Sequence, residues 1–258
     1  MLPETADAAS PLPILWQGQD CVAIHKPAGW LVHRTGLDAG ETRFVVQTLR
    51  DQLGVPVYPV HRLDKGTSGV LLVALSSDCA RRLSAHFERR EVHKRYVAMV
   101  RGWPADVVRV DHALRPDDAP PDAPSQEALT DFRLLAQCAL DVPVDRYPQT
   151  RVALVEAQPL TGRRHQIRRH LKHVAHPIIG DATHGKGAHN RWWADHLGVQ
   201  RLWLHAASLS LPHPDVAGEW LSVASPITSS ELNADWLRLL SDQPWRWRRD
   251  GDLLNLLG

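Results

Sequence analysis

Residues 61–69 read His-Arg-Leu-Asp-Lys-Gly-Thr-Ser-Gly, between a β-prone stretch and the apolar run Val70 to Leu75. Asp64 in such a place can open a surface turn, bonding backbone N–H groups two residues on, with Thr67 and Ser68 doing so more weakly. It can also be a catalytic carboxylate held rigidly at the end of a core strand, and the flanking Arg62 and Lys65 argue for that reading. Ser68 does not suggest a hydrolase. Its surroundings, Gly-Thr-Ser-Gly-Val, lack the Gly-x-Ser-x-Gly spacing, and no strand-to-helix elbow follows.

A second group of chemically active residues lies between Glu156 and Asp181, a stretch without one acidic residue. It holds Arg163, Arg164, Arg168, Arg169 and Lys172, with His165, His170, His173 and His176. On a chain of net charge +1 this is either a solvated helix face or the local footprint of a polyanion. His170, His173 and His176 are spaced at three, which a metal could use. No His-Glu-x-x-His occurs, no carboxylate lies among them, and Pro177 ends the helix, so no metal is expected. Trp192 and Trp193 beside Arg191, and Trp245 and Trp247 among Arg246, Arg248 and Arg249, have the make-up of base-stacking platforms. Core filling is the plainer reading for the first pair.

The elements that would position these groups follow from periodicity. ILWQ (14–17), CVAIHKP (21–27), VYPVHRL (57–63), GVLLVAL (69–75), 92–102, 128–137, 150–159, 203–214 and 219–225 read as strands. Helices are expected over 43–53, ended by Gly54, and over 78–90, capped by Ser77. TGRRHQIRRHLKHVAHP (161–177) reads as a turn and a third helix closed by Pro177, with Ile167, Leu171 and Val174 as its apolar stripe and Arg164, Arg168 and Lys172 on another face. A fourth is capped by Ser229 or Ser230 and ends near Leu240. Many strands and few helices without βαβ alternation predict an α+β fold: one domain, residues 13–241, on a mixed, mostly antiparallel sheet. Residues 1–12 and 242–258 read as tails, and the Pro/Asp-rich stretch 104–126 as a solvated loop insertion.

The chain has 258 residues, 43% hydrophobic and 23% charged, ordinary for a globular protein. No apolar run approaches the roughly 20 residues of a membrane span, and the acidic, Pro-rich start is no signal peptide. Cys21, Cys79 and Cys138 form no Cys-x-x-Cys pair. A cytoplasmic protein with reduced, mostly buried thiols is the expectation.

HRLDKGTSG, KRYVAMVRG, TGRRHQIRRHLKHVAHPIIGD and LHAASLSL stand in the order and at the approximate separations that they have in the RluA-type pseudouridine synthases, and HKPAGWLVH resembles that family's opening strand. The resemblance covers roughly residues 14–225. The segments DVPVDRYPQTR and HGKGAHN are similar to its tRNA branch, which modifies uridine 65. The resemblance implies an isomerase that needs no cofactor and acts on a flipped-out uridine. It makes Asp64 the catalytic aspartate, Tyr96 the tyrosine that packs on the base, and Arg168 the basic partner of the aspartate. Ile167 would line the pocket, and Arg62 would replace the flipped nucleotide in the RNA stack. Thr67 would shape the turn, while Arg163, Arg164, Arg169 and Lys172 would hold phosphates. The partner implied is tRNA, with ribosomal RNA as the alternative substrate and an idle RNA-binding module as the alternative role; the chain would act as a monomer, away from membranes.

Overall fold

The computed structural model describes residues 11–34, 40–120 and 122–248. Among them the elements run β1 (Ile14–Gln17), β2 (Cys21–Lys26), α1 (Val45–Leu53), β3 (Tyr58–Pro59), β4 (Ser68–Ala74) and α2 (Ser77–Glu88). Next come β5 (His93–Arg101), β6 (Val107–Asp111), β7 (Leu129–Leu140), β8 (Thr150–Pro159), α3 (Gln166–His173) and α4 (Gly187–Leu197). The last are β9 (Leu204–Pro212), β10 (Trp220–Ala224), α5 (Ser230–Asp242) and β11 (Arg246–Trp247).

The strands form one mixed sheet in the order β1-β2-β4-β9-β5-β8-β7-β11, with β3 on β4, β10 on β9 and β6 on β7. The β4–β9 pair is parallel, with Ser68 opposite His205 and Gly69 opposite Ala206. Its neighbours β2–β4 and β5–β9 are antiparallel. This is the expected α+β fold. β2 and β4 are buried at every position because both faces of the sheet are covered there. Such strands read as unbroken apolar runs instead of alternating ones. Ile24, Leu71 and Val73 pack with Val45 and Leu49 of α1 on one face. Val70 and Leu72 pack with Leu83 of α2 and Leu221 of β10 on the other. The larger core unites β5, β7 and β8 with Ile167 and Leu171 of α3, Trp193 of α4 and Trp236 of α5.

Several local expectations change. The strand expected over 57–63 pairs only at Tyr58 and Pro59. The next donor of β4, the N–H of Leu72, is taken by Nε2 of His61 at 2.9 Å, so the chain leaves the sheet and Asp64 sits in a loop. Ser76, one residue before the expected cap, accepts the Cys79 N–H and starts α2. Of the two candidate caps for α5, Ser229 accepts the Leu232 N–H. Within the supposed insertion, residues 107–111 form β6, which pairs with Leu129–Arg133 and buries Val110. The Pro/Asp-rich composition governs only the residues after β6. The helix α4 was not foreseen, because a Gly/His-rich start masks the four-residue spacing of His189, Trp193 and Leu197, its buried side. Trp193 is core, as expected, and Trp192 stacks on His196.

At the ends, Leu12 is buried and its backbone bonds both ways with the Gln52 amide. Arg246 and Trp247 add a short strand beside β7. The rest of the two expected tails, 1–10 and 249–258, lies outside the described residues. The three cysteines are free and buried.

Gly69 has φ 113°, and a Cβ there would overlap the Ala206 carbonyl of the parallel neighbour. Gly69→Ala should therefore cost at least about 2 kcal/mol in a urea unfolding titration. A loss under about 0.5 kcal/mol would mean that β9 gives way freely.

Candidate active site

Helix α3 begins after His165, whose backbone is left-handed at φ 55°. A non-glycine residue there is strained and needs outside support. Gln166 supplies it. Its side-chain oxygen accepts from the Arg163 N–H at 2.9 Å and the Thr161 hydroxyl at 2.7 Å. Its amide donates to the Leu129 carbonyl and to the Thr130 hydroxyl of β7. One buried amide thus fastens the turn and the first residue of α3 to the sheet.

That anchoring aims Arg168 inward. Its Nε and Nη2 donate to the two oxygens of Asp181 at 2.7 and 2.8 Å, and its Nη1 donates to Asp64 at 2.9 Å. Asp181 also accepts the Thr183 and His184 N–H groups. Burial opposes the charge on Arg168, but the two carboxylates outweigh it and hold its proton above the usual arginine range. Burial also opposes ionisation of Asp181, and its bonds to Arg168 and the backbone still bring it below the usual carboxylate value.

The expected stripe of Arg164, Arg168 and Lys172 is therefore not one surface. Arg168 is buried, Arg164 precedes the helix, and only Lys172 is an exposed helical cation.

Asp64 faces a cleft of about 530 Å³. Arg62, Thr67, Tyr96, Arg163, Arg164, Ile167 and Arg168 line it with Asp64; Arg169 and Lys172 do not. Arg62 is exposed at the rim. Burial, with the Asp64 charge adding to it, pushes the Tyr96 hydroxyl above the usual phenol value, so the ring stays neutral. The turn below Asp64 is closed by its own backbone carbonyl, which accepts the Thr67 N–H at 3.0 Å. The carboxylate itself is left for Arg168.

Three residues at the site were missed. Lys26 is wholly buried beneath the Asp64 loop and donates to the carbonyls of Pro27, Trp30 and Lys65. Burial lowers it to about 7, with Asp64 opposing. A lysine closing the strand CVAIHK, which opens with four apolar residues, was the available signal. Lys94 lines the cleft, its ammonium lowered by burial to about 8. His165 brings Nε2 to 3.9 Å from Asp64 and Nδ1 to 2.8 Å from Asp117. The second contact lacks hydrogen-bond geometry, and burial lowers His165 below the usual imidazole value, which disfavours an ion pair there.

Asp117 belongs to the Pro/Asp-rich loop, which lies against the basic residues. It pairs with Arg169 at 3.2 Å and Arg164 at 3.7 Å, and Asp118 also pairs with Arg164. Arg169 also donates to the Arg115 carbonyl. Other apparent constellations are structural. Ser68 is buried between His205 and Arg201, and burial lowers His205 to about 3. His170 bonds Thr130 and the His112 carbonyl, His173 stacks on His112, and His176 bonds the Arg101 carbonyl.

The model of the RNA pseudouridylate synthase family matches residues 20–173. The tRNA pseudouridine synthase C of Salmonella typhi is 47% identical over 247 residues, covering 91% of each chain. This chain belongs to the RNA pseudouridylate synthase family. That of Vibrio cholerae is 43% identical, over 91% of this chain and 97% of its own. A solved human structure, RNA pseudouridylate synthase domain containing 1, superposes with TM-score 0.71 at 25% identity, over 98% of this chain and 96% of its own. The chain is thus a pseudouridine synthase, an isomerase that converts uridine in RNA to its C-glycoside. Among the described residues no helix is long and apolar enough to cross a membrane.

Because the folded Asp181 carboxyl lies below its unfolded value, its contribution is fully present above the unfolded range, about pH 4, and is lost as pH falls through the folded value. Asp181→Asn should cost about 3–5 kcal/mol at pH 7 and flatten the acid limb of stability below about pH 4. Unfolding titrations from pH 3 to 7 read both; an unchanged acid limb would remove Asp181 as its source.

Proposed function

We propose that the enzyme isomerises one uridine of tRNA, at position 65, in the cytoplasm and as a monomer, with Asp64 acting on the sugar of the flipped nucleotide. The observation that carries this reading is the Asp64–Arg168 pair at the floor of a cleft lined by Tyr96 and basic residues. The names of the relatives, tRNA pseudouridine synthase C, support tRNA as the substrate. The resemblance of residues 141–151 and 184–190 to that branch supports position 65.

Asp64, Tyr96 and Arg168 are the residues to which chemistry is assigned. The reaction breaks N1–C1′, turns the uracil, joins C5 to C1′, removes the C5 proton and protonates N1. Reactant and product are isomers, so no oxidant or phosphate donor enters. A carboxylate is ionised at neutral pH, the form it needs as base or nucleophile. On the glycal route, which we favour, Asp64 takes the C2′ proton while N1–C1′ breaks and returns it to C2′ as C5 joins C1′. Arg168 keeps the carboxylate aimed at the sugar. Extruding the base costs a few kcal/mol. Arg62 at the rim fills the gap in the stack, Tyr96 offers the base a π-face and Ile167 an apolar wall. Thr67 sets the turn. Arg163, Arg164, Arg169 and Lys172 meet phosphates, so affinity falls as salt rises.

Tritium release from C5-labelled uridine tests this, in unmodified tRNA and in a large-subunit rRNA fragment. Wild type should release tritium from tRNA alone, and Asp64→Asn should retain under about one ten-thousandth of the rate while binding tRNA within a few-fold. Release from rRNA alone would overturn the substrate. Equal loss of binding and turnover would overturn the role of Asp64.

RNA must also displace Asp117 and Asp118 from Arg164 and Arg169. Each exposed pair is worth up to about 1 kcal/mol, so Asp117→Asn with Asp118→Asn should tighten tRNA binding about three- to fivefold at low salt. Weaker binding in fluorescence anisotropy would show that the carboxylates support the RNA-binding arrangement.

A further inference from the structure

We infer that a second phosphate-binding surface for the RNA substrate lies beyond the C-terminal end of α3, built from Arg101, Arg146 and Arg151 around Tyr147 and Trp103. The inference rests on the chain acting on RNA, not on that RNA being tRNA. Arg101 and Arg146 both donate to the Tyr147 hydroxyl, each at 3.2 Å. Both guanidinium groups also lie over its ring, 5.4 and 5.3 Å from the centroid. Arg101 is braced by the Ala175 carbonyl at the end of α3. Arg151 stacks on the Trp103 ring at 4.6 Å, and Gln149 orients it from the other side. Trp103 is itself pinned by the Cys138 carbonyl.

The guanidinium groups of this cluster are not held in ion pairs. Elsewhere on the surface Arg50, Arg81, Arg89, Arg90, Arg109 and Arg238 each pair with a carboxylate. Among the described residues no ion pair joins Arg101, Arg146 or Arg151 to one. Asp145, next to Arg146, acts on it only through space. The two guanidinium groups share one phenol, lowering its proton below the usual phenol value, and keep spare donors; a phosphate accepts from guanidinium forks of this kind. Arg146 and Arg151 are exposed, so their donors are reachable.

Position supports the same ligand. Helix α3 links the two places: Arg168 in its first turn reaches Asp64 in the cleft, and the Ala175 carbonyl beyond its end, seven residues and roughly 10 Å on, accepts from Arg101. Lys172 and His173 are exposed on the last turn of the same helix. A track of this length suits a run of backbone phosphates. Nothing in the cluster reads a base edge, so the contribution is to affinity and register.

The test is fluorescence anisotropy of labelled RNA from 50 to 300 mM salt, on an unmodified tRNA transcript and on the rRNA fragment. Arg146→Glu with Arg151→Glu should weaken binding about tenfold and lower the slope of log affinity against log salt by about 1.8, two phosphate contacts. The penalty should shrink when the RNA is cut to a single hairpin. Arg81→Glu with Arg82→Glu changes net charge equally and should leave the slope alone. If the Glu pair does not fold, Arg146→Gln with Arg151→Gln reads the same slope. An unchanged slope, or an equal change in the Arg81 and Arg82 control, would overturn the surface. Tritium release from rRNA alone would overturn the tRNA reading, while a slope loss on that rRNA would still support the surface.

Discussion

The forked guanidinium of Arg168 is the constraint on which the site depends. Asp64, Arg168 and Asp181 come from three separate segments, a loop before β4, the first turn of α3 and a loop before α4. One side chain ties them with three hydrogen bonds of 2.7–2.9 Å. Arginine suits this because two of its donors match one carboxylate while a third remains for another. A lysine is a point charge without that fork. The cost of burying the group is offset because each charge meets an opposite one and Asp181 takes further backbone donors. Around this triad, Gln166 holds the strained start of α3 and His61 holds the Asp64 loop to the edge of β4. Burial lowers the His61 pKa to about 3, so its ring stays a neutral acceptor.

The same economy of charge explains how an RNA enzyme has a net charge of only +1. The basic stretch after Glu156 is real, but its members are divided among different tasks. Arg168 belongs to the floor of the site. Arg164 and Arg169 are covered by Asp117 and Asp118. Lys172 is exposed. Local geometry, more than total charge, sets the attraction for a polyanion.

Much of the scaffold was legible because it follows local rules. The apolar runs 21–24 and 70–75 gave away β2 and β4, and Gly54 and Ser229 marked helix ends by backbone need. The departures have physical causes that no local window contains. His61 takes a ladder donor from a residue eleven positions away and ends a strand that its own sequence favours. β6 forms because Val110 finds a place in the core beside Phe132, despite Pro- and Asp-rich neighbours. α4 escaped notice because its first turn is Gly, Ala, His and Asn.

By itself the sequence determined the α+β class, the positions of the strands other than β6 and β11 and the motif Asp64 belongs to, since periodicity, turn chemistry and residue type are local properties. Tertiary structure alone decided which cation meets which carboxylate. Asp64 and Arg168 are 104 positions apart, and Asp181 was a residue of no evident role until α3 aimed Arg168 at it. Lys26 gained its place beneath the loop, His165 its contact with Asp117, and the Pro/Asp-rich loop its place on the basic residues, only through packing. Pairing energy depends on distance and burial, which the chain acquires when distant segments come together.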